Sequence, residues 1–162
     1  MKKLSTLILS IACLGLFLGN CFAQIAPART WPELKEAILE RVKQQRYPLT
    51  GFDAVEVEQI VSNIHSIDRD EWAKAWIANG DRHYQNAQRL KTTQKDKARE
   101  EFFAAWQYYS FGAWPTQNSI EKKRAYELCT IAFREYAKLS SPEIEIVRIP
   151  FEGKEIVGYL QK

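Results

Sequence analysis

The chain has 162 residues, of which 46% are hydrophobic, 27% charged and 12% aromatic, a composition that excludes a disordered tail, a collagen-like repeat and a disulfide-dense mini-protein. The formal charge of +3 is not an argument for nucleic acid or an anionic membrane. Residues 1–23 hold no acid and only Lys2 and Lys3 as bases, which leaves 21 of the 23 Lys and Arg against all 20 Asp and Glu in the remainder. A near-neutral stretch of that length can bury roughly two-thirds of its surface, so one core is expected.

The N-terminus has the pattern of an export signal. Met1-Lys2-Lys3 is a short positive start, Leu4 to Leu18 an apolar run, and Cys21-Phe22-Ala23 puts small residues at the two positions that a signal peptidase reads, so cleavage is expected after Ala23. The protein is then periplasmic or secreted. An uncleaved anchor needs about 20 apolar residues, and Gly15, Gly19 and Asn20 interrupt this one. Leu18-Gly19-Asn20-Cys21 offers a second route, lipid attachment at Cys21, with Asn20 an awkward neighbour for it. Removing residues 1–23 takes away Cys13 and Cys21 and leaves Cys129 without an intramolecular partner. Cys129 lies in an apolar stripe, as a buried small hydrophobe does.

In chain order, Thr30-Trp31-Pro32-Glu33 announces a helix by a cap, a first-turn proline and a capping-box acid, and Leu34, Ile38 and Val42 fall on one face. Tyr47-Pro48-Leu49-Thr50-Gly51 breaks it. Asp53 caps a short second helix with the stripe Val57, Ile60, Val61 and Ile64, and Asp68 opens a longer third with Trp72, Ala75, Trp76, His83, Ala87 and Leu90. A fourth helix aligns Ala98, Phe102, Ala105, Trp106 and Tyr109 and stops near Gly112 and Pro115. A fifth begins at Asn118-Ser119-Ile120-Glu121 and carries Ala125, Leu128, Cys129, Ala132, Phe133, Tyr136 and Leu139 at i, i+3, i+4, i+7 spacing.

After Ser140-Ser141-Pro142 the period changes. Residues 143–151 alternate and are β-branched, with a phase slip between Ile146 and Val147 that points to a bulge or to two covered faces. Glu152-Gly153-Lys154 is a tight turn, and residues 155–160 return as the second strand of a hairpin whose Pro150 marks an edge. The predicted fold is therefore mainly α, a bundle of about five helices followed by a C-terminal β-hairpin. A lone hairpin is marginal in water, so this one reads as the start of a larger sheet.

Motifs for phosphate loops, dinucleotides, EF-hand calcium and zinc are absent, as is a Gly-x-Ser-x-Gly elbow. His65 and His83 lack partners at metal spacing and read as structural or surface residues, so no metal and no cofactor is expected. Asp81 and His83 do not share a helical face, and Glu100-Glu101 and Asp68, Asp70 and Glu71 fit caps and solvated faces rather than a catalytic carboxylate pair. No residue of the sequence is assigned a catalytic role. The densest aromatic run, Trp106 to Pro115, has two readings. Trp106 and Tyr109 pack against neighbouring helices in one, and in the other Tyr108, Tyr109, Phe111 and Trp114 are candidates for lining an apolar substrate pocket.

Several strings carry a resemblance: Gly51-Phe52-Asp53, Trp72-Ala73-Lys74-Ala75-Trp76, Ala105-Trp106-Gln107-Tyr108-Tyr109, Lys123-Arg124-Ala125-Tyr126-Glu127, Ser141-Pro142-Glu143, Val147 through Lys154, and Gly158-Tyr159-Leu160. They resemble the front end of α/β-hydrolases with a helical N-terminal domain, the group that contains 2,6-dihydroxypseudooxynicotine hydrolase and the FrsA-like esterases. The resemblance runs over roughly residues 31–162 and is most specific at the hairpin. It implies a division into a signal peptide (1–23), a helical lid-type domain (24–141) and the first strands of the hydrolase core (142–162). It further implies serine hydrolysis of an ester, or of a carbon–carbon bond next to a ketone, with the helices shaping the pocket. The nucleophile, oxyanion donors, acid and histidine lie on later strands of such enzymes, and no position of this sequence takes those roles. The chain is accordingly expected to be inactive by itself, the front of a longer or truncated gene. Its expected partner is a small ester or ketone once a core is present, with no nucleic acid, membrane contact only through the export signal, and homo-oligomerisation left open.

The competing reading is an exported tetratricopeptide-like interaction module, since Trp76, Gly80, Tyr84, Ala98, Phe102 and Ala105 echo that repeat. The step from Gly80 to Ala98 is too long for a repeat of about 34 residues, no second copy is visible, and a solenoid has no use for a terminal hairpin.

Overall fold

The computed structural model describes residues 28–161. The expected signal segment, with its cleavage at Ala23 and its Cys21, lies outside the described residues. Five helices, α1 (Trp31–Lys43), α2 (Ala54–Ser62), α3 (Arg69–Leu90), α4 (Lys95–Ala113) and α5 (Ile120–Leu139), precede a hairpin of β1 (Ile144–Phe151) and β2 (Lys154–Gln161). The mainly α class with a terminal hairpin is as the sequence predicts.

The starts follow the caps. Thr30 donates its backbone N–H to the Glu33 carboxylate at 2.8 Å, which closes the α1 box, and the Asp53 and Asp68 carboxylates accept the free N–H groups at the starts of α2 and α3. Between α1 and α2 the chain turns around Gln45. Its side chain donates to the carbonyls of Val42 and Phe52 and accepts from the Gly51 N–H at 2.7 Å, tying both ends of the loop to one amide. Gly51 sits there at φ +83°, a conformation that costs a glycine nothing.

Two cores form on opposite sides of α3 and α4. In the first, the stripes of α1 and α2 meet Leu49, Phe52, Trp76, Tyr108 and Phe111. Phe52 is the hub, edge-on to Tyr108 at 5.2 Å and to Trp76 at 6.0 Å. Fully burying each such side chain stabilises by about 1.5–3 kcal/mol. The second core is built of small residues, Ala73, Ala105, Ala113, Ala125 and Ala132, around Ile77, Tyr109 and Cys129, and it lets α3, α4 and α5 approach closely. Gly80 belongs to the same seam, because the Tyr109 ring lies where a Cβ would be. The buried face of α3 is thus wider than the predicted stripe, taking in Ala73, Ile77 and Gly80 as well as Trp76 and Ala87, because α4 and α5 cover it from one side and α2 from the other.

The hairpin pairs without interruption from Ile144↔Gln161 to Phe151↔Lys154. Neither a bulge nor a second covered face accompanies the phase slip at Ile146 and Val147, which corrects that expectation. The two eight-residue strands are joined by a two-residue turn, Glu152 at φ +48° and Gly153 at φ +74°, whose paired positive φ values suit the right-handed twist of β-strands in general. The Tyr159 ring meets the bundle edge-on to Phe133 at 4.6 Å, and β1 also touches α5. Ile149, Phe151, Ile156 and Leu160 stay about half exposed.

Candidate functional site

A mainly apolar groove of about 470 Å³, with polar groups around it, lies between α1, the following loop, the start of α3 and the end of α4. The α1 periodicity turns Leu34 and Ile38 toward it, beside Trp31 from the first turn. Leu49 and Pro48 close one end from the loop. The far wall is Trp72, whose indole N–H donates to the Phe111 carbonyl at 3.1 Å, and Phe111, whose ring lies 5.4 Å from that of Trp72 and stacks at 5.8 Å on Trp114. The mouth is cationic, with Arg29, Arg41 and Arg69 at the edge. Arg41 donates to the Tyr47 carbonyl at 3.0 Å, which fixes the loop against α1.

Lys122, on the first turn of α5, also lines this groove. Its side chain points in from the buried stripe that continues through Ala125 and Cys129, and the residue is only 6% exposed. The ammonium donates to the Trp114 carbonyl at 2.8 Å. Burial, and then the charge of Arg69, push its pKa below the ordinary lysine value. The sequence did carry a signal for it, since of the basic run Lys122-Lys123-Arg124 it is Lys122 that lies three residues before Ala125 and seven before Cys129, on the apolar side of the helix.

Of the four aromatic candidates, the groove brings together Phe111 and Trp114. Tyr108 and Tyr109 lie elsewhere. Tyr109 is buried against Gly80 and donates its hydroxyl to Asp81 at 2.6 Å, and Tyr108 is buried under Phe52 with its hydroxyl on Glu56. Both phenols are pushed well above their ordinary pKa, first by burial and then by the carboxylate each one meets. The groove residues that the sequence reading left unassigned, Trp31, Leu34, Ile38 and Trp72, bear the signature of ordinary helix stripes. Only the approach of α1 to the α4–α5 connection makes them walls.

A second, polar constellation joins α2, α3 and α4. The Glu56 carboxylate accepts from the Tyr108 hydroxyl, from Asn79 at 3.2 Å and from Arg82, and lies 3.0 Å from His83 Nε2. His83 Nδ1 faces Glu101 at 2.6 Å, and its ring stacks on Tyr108 at 5.1 Å. Burial alone would raise the Glu56 pKa, but hydrogen bonds from Tyr108, His83 and Asn79 outweigh it and hold the group at about 2. Every member has its partner in another member, so the arrangement works as a clamp between three helices. His83 therefore pairs with Glu56 and Glu101 rather than with its sequence neighbour Asp81. Among the described residues, no group of three or more His, Cys, Asp or Glu is arranged to hold a metal ion.

The comparisons with known proteins bear on this helical frame. No protein-family model matches the chain. Over 142 residues it is 28% identical to Esterase FrsA of Vibrio cholerae, an alignment that takes in 77% of this chain and 34% of that protein. It is 26% identical over 141 residues to the Alpha/beta hydrolase ucsC of an Acremonium species, covering 83% of this chain and 29% of that one. The chain thus spans about a third of the length of the curated relatives it matches. This similarity supports an α/β-hydrolase-like family and a hydrolase-family fragment, and it does not favour the tetratricopeptide reading.

Proposed function

We propose that residues 28–161 are the helical substrate-covering part and the opening hairpin of an exported serine α/β-hydrolase acting on an ester or on a carbon–carbon bond beside a ketone. The helices shape the substrate pocket in this reading, and the groove walled by Trp72, Phe111 and Trp114 is its entrance or its acyl end. The observation that carries the reading is the hairpin. Eight-residue strands leave Ile149, Phe151, Ile156 and Leu160 about half exposed, and among the described residues neither outer edge is paired. Such a ribbon gains little by itself and becomes stable as part of a wider sheet, which the α/β-hydrolase similarity supplies. Export is the proposal for location, resting on the sequence of residues 1–23.

Two measurements test it. Sequencing the coding DNA past Lys162 in three frames is expected to reveal further strands with Gly-x-Ser-x-Gly, then an acid, then a histidine. A stop with no such remnant overturns the proposal. The 162-residue chain itself is expected to leave p-nitrophenyl esters intact and to stay unlabelled by a fluorophosphonate probe, whereas a labelled serine within it refutes the assignment of the catalytic groups to later strands.

A further inference from the structure

Lys122 is difficult to explain as a structural residue. A buried ammonium is costly unless it is paired, and its three N–H groups are normally all used. Here one is spent on the Trp114 carbonyl. Among the described residues no carboxylate lies within ion-pair distance of it, and a second cation, Arg69, which has no ion pair of its own, acts on it. The ammonium opens onto a cavity whose walls are the rings of Trp72, Phe111 and Trp114 and the side chains of Leu34 and Ile38. The site therefore offers a large apolar volume, one buried positive charge with unused donors, and a cationic mouth.

We propose that this groove binds an amphipathic organic carboxylate, its aromatic or aliphatic body against Trp72, Phe111 and Trp114 and its carboxylate on the Lys122 ammonium. One negative charge complements one buried positive charge, and the two free N–H groups match the oxygens of a single carboxylate. A phosphate dianion would bring a second charge with no buried donor to meet it. Arg69, exposed at the mouth, draws the anion in rather than holding it. The inference deepens the pocket reading above and rests on it for the groove being a ligand site, but not for any catalytic step.

The test is calorimetry of the purified protein with 4-phenylbutyrate and, as the uncharged counterpart of the same shape, 4-phenylbutyramide. The acid is expected to bind at least about tenfold more tightly than the amide, the worth of roughly one charge-assisted hydrogen bond. In Lys122→Met the preference is expected to vanish while the amide binds as before, which also certifies that the variant is folded. If Lys122→Met does not fold, Lys122→Arg, which keeps the charge, and Arg69→Ala, at the surface, carry the test. The first is then expected to retain the acid preference, and the second to slow association of the acid without abolishing the preference. Equal binding of acid and amide, no binding of either, or a preference that survives Lys122→Met overturns the proposal. None of those results touches the hydrolase reading, which the fluorophosphonate probe and the coding sequence decide.

Discussion

Replacing Gly80 with alanine sets two effects of opposite sign against each other. In the middle of a helix the change should stabilise by about 1 kcal/mol, since glycine is the poorer helix former. In this chain the new methyl would lie 2.6 Å from two carbons of the Tyr109 ring. That ring is 1% exposed, wedged between α3 and α4, and anchored by its hydroxyl on Asp81, so it has no free direction to move. Overpacking of this kind costs about 1–3 kcal/mol. Displacing the phenol also gives up a hydrogen bond to a carboxylate worth about 1.5–3 kcal/mol. The net expectation is a loss of about 2–4 kcal/mol, or a fall in Tm of roughly 10 °C for a chain of this size. Urea and thermal unfolding followed by far-UV circular dichroism would measure it. The mechanism is checked by repeating Gly80→Ala in a Tyr109→Ala background, where the vacated ring leaves room and the substitution should cost little or turn favourable. A rise in Tm for Gly80→Ala alone, or an equal loss in both backgrounds, would refute the account of the α3–α4 seam.

Two further outcomes are expected. The Glu56 carboxyl is held at about 2 in the folded state against an ordinary 4.5. A depressed acid contributes stability that is present above its unfolded pKa and is lost as the pH falls through the folded one, so the stability difference between the wild type and Glu56→Gln should shrink as pH drops from about 5 to 2. A difference independent of pH across that window, in urea midpoints, would contradict the clamp. The Cys129 thiol is raised to about 11, mainly by burial, with hydrogen bonds from Ser110 and Trp106 opposing that only in part. At pH 8 only about one molecule in a thousand carries the thiolate. Iodoacetamide should leave Cys129 unmodified in the native protein over a time in which urea-unfolded protein reacts fully, as read by peptide mass; rapid native labelling would contradict the burial.

Local physics made much of this fold legible. Asp53, Asp68 and Ser119 announce helix starts because a short polar side chain is the natural partner for free N–H groups, and they cap the three helices that follow them. The Glu152-Gly153 turn and the β-branched run before it specify a hairpin in the same local way. The slip at Ile146 and Val147 misled because side-chain alternation tells which faces could be covered. In a ribbon with so little packed on it, coverage does not enforce the pattern.

The site was less legible. Phe111 and Trp114 come from the aromatic run that the sequence marks out, yet Tyr109 turns away from them to Asp81 because successive residues of a helix point about 100° apart, and Tyr108, one turn before Phe111 on the same face, reaches Glu56 on α2 instead of the groove. The sequence by itself determined the helices, their caps, the turn and the change of period, since each depends on residues within one or two turns of one another. The tertiary structure alone decided that α1 faces the α4–α5 connection across one groove, that His83 meets Glu56 and Glu101 rather than Asp81, and that Lys122 faces a hollow instead of solvent. Those outcomes depend on how helices stack, and stacking is set by the summed burial of residues far apart in the chain, Phe52 on Trp76 and Gly80 on Tyr109 among them, which no local pattern records.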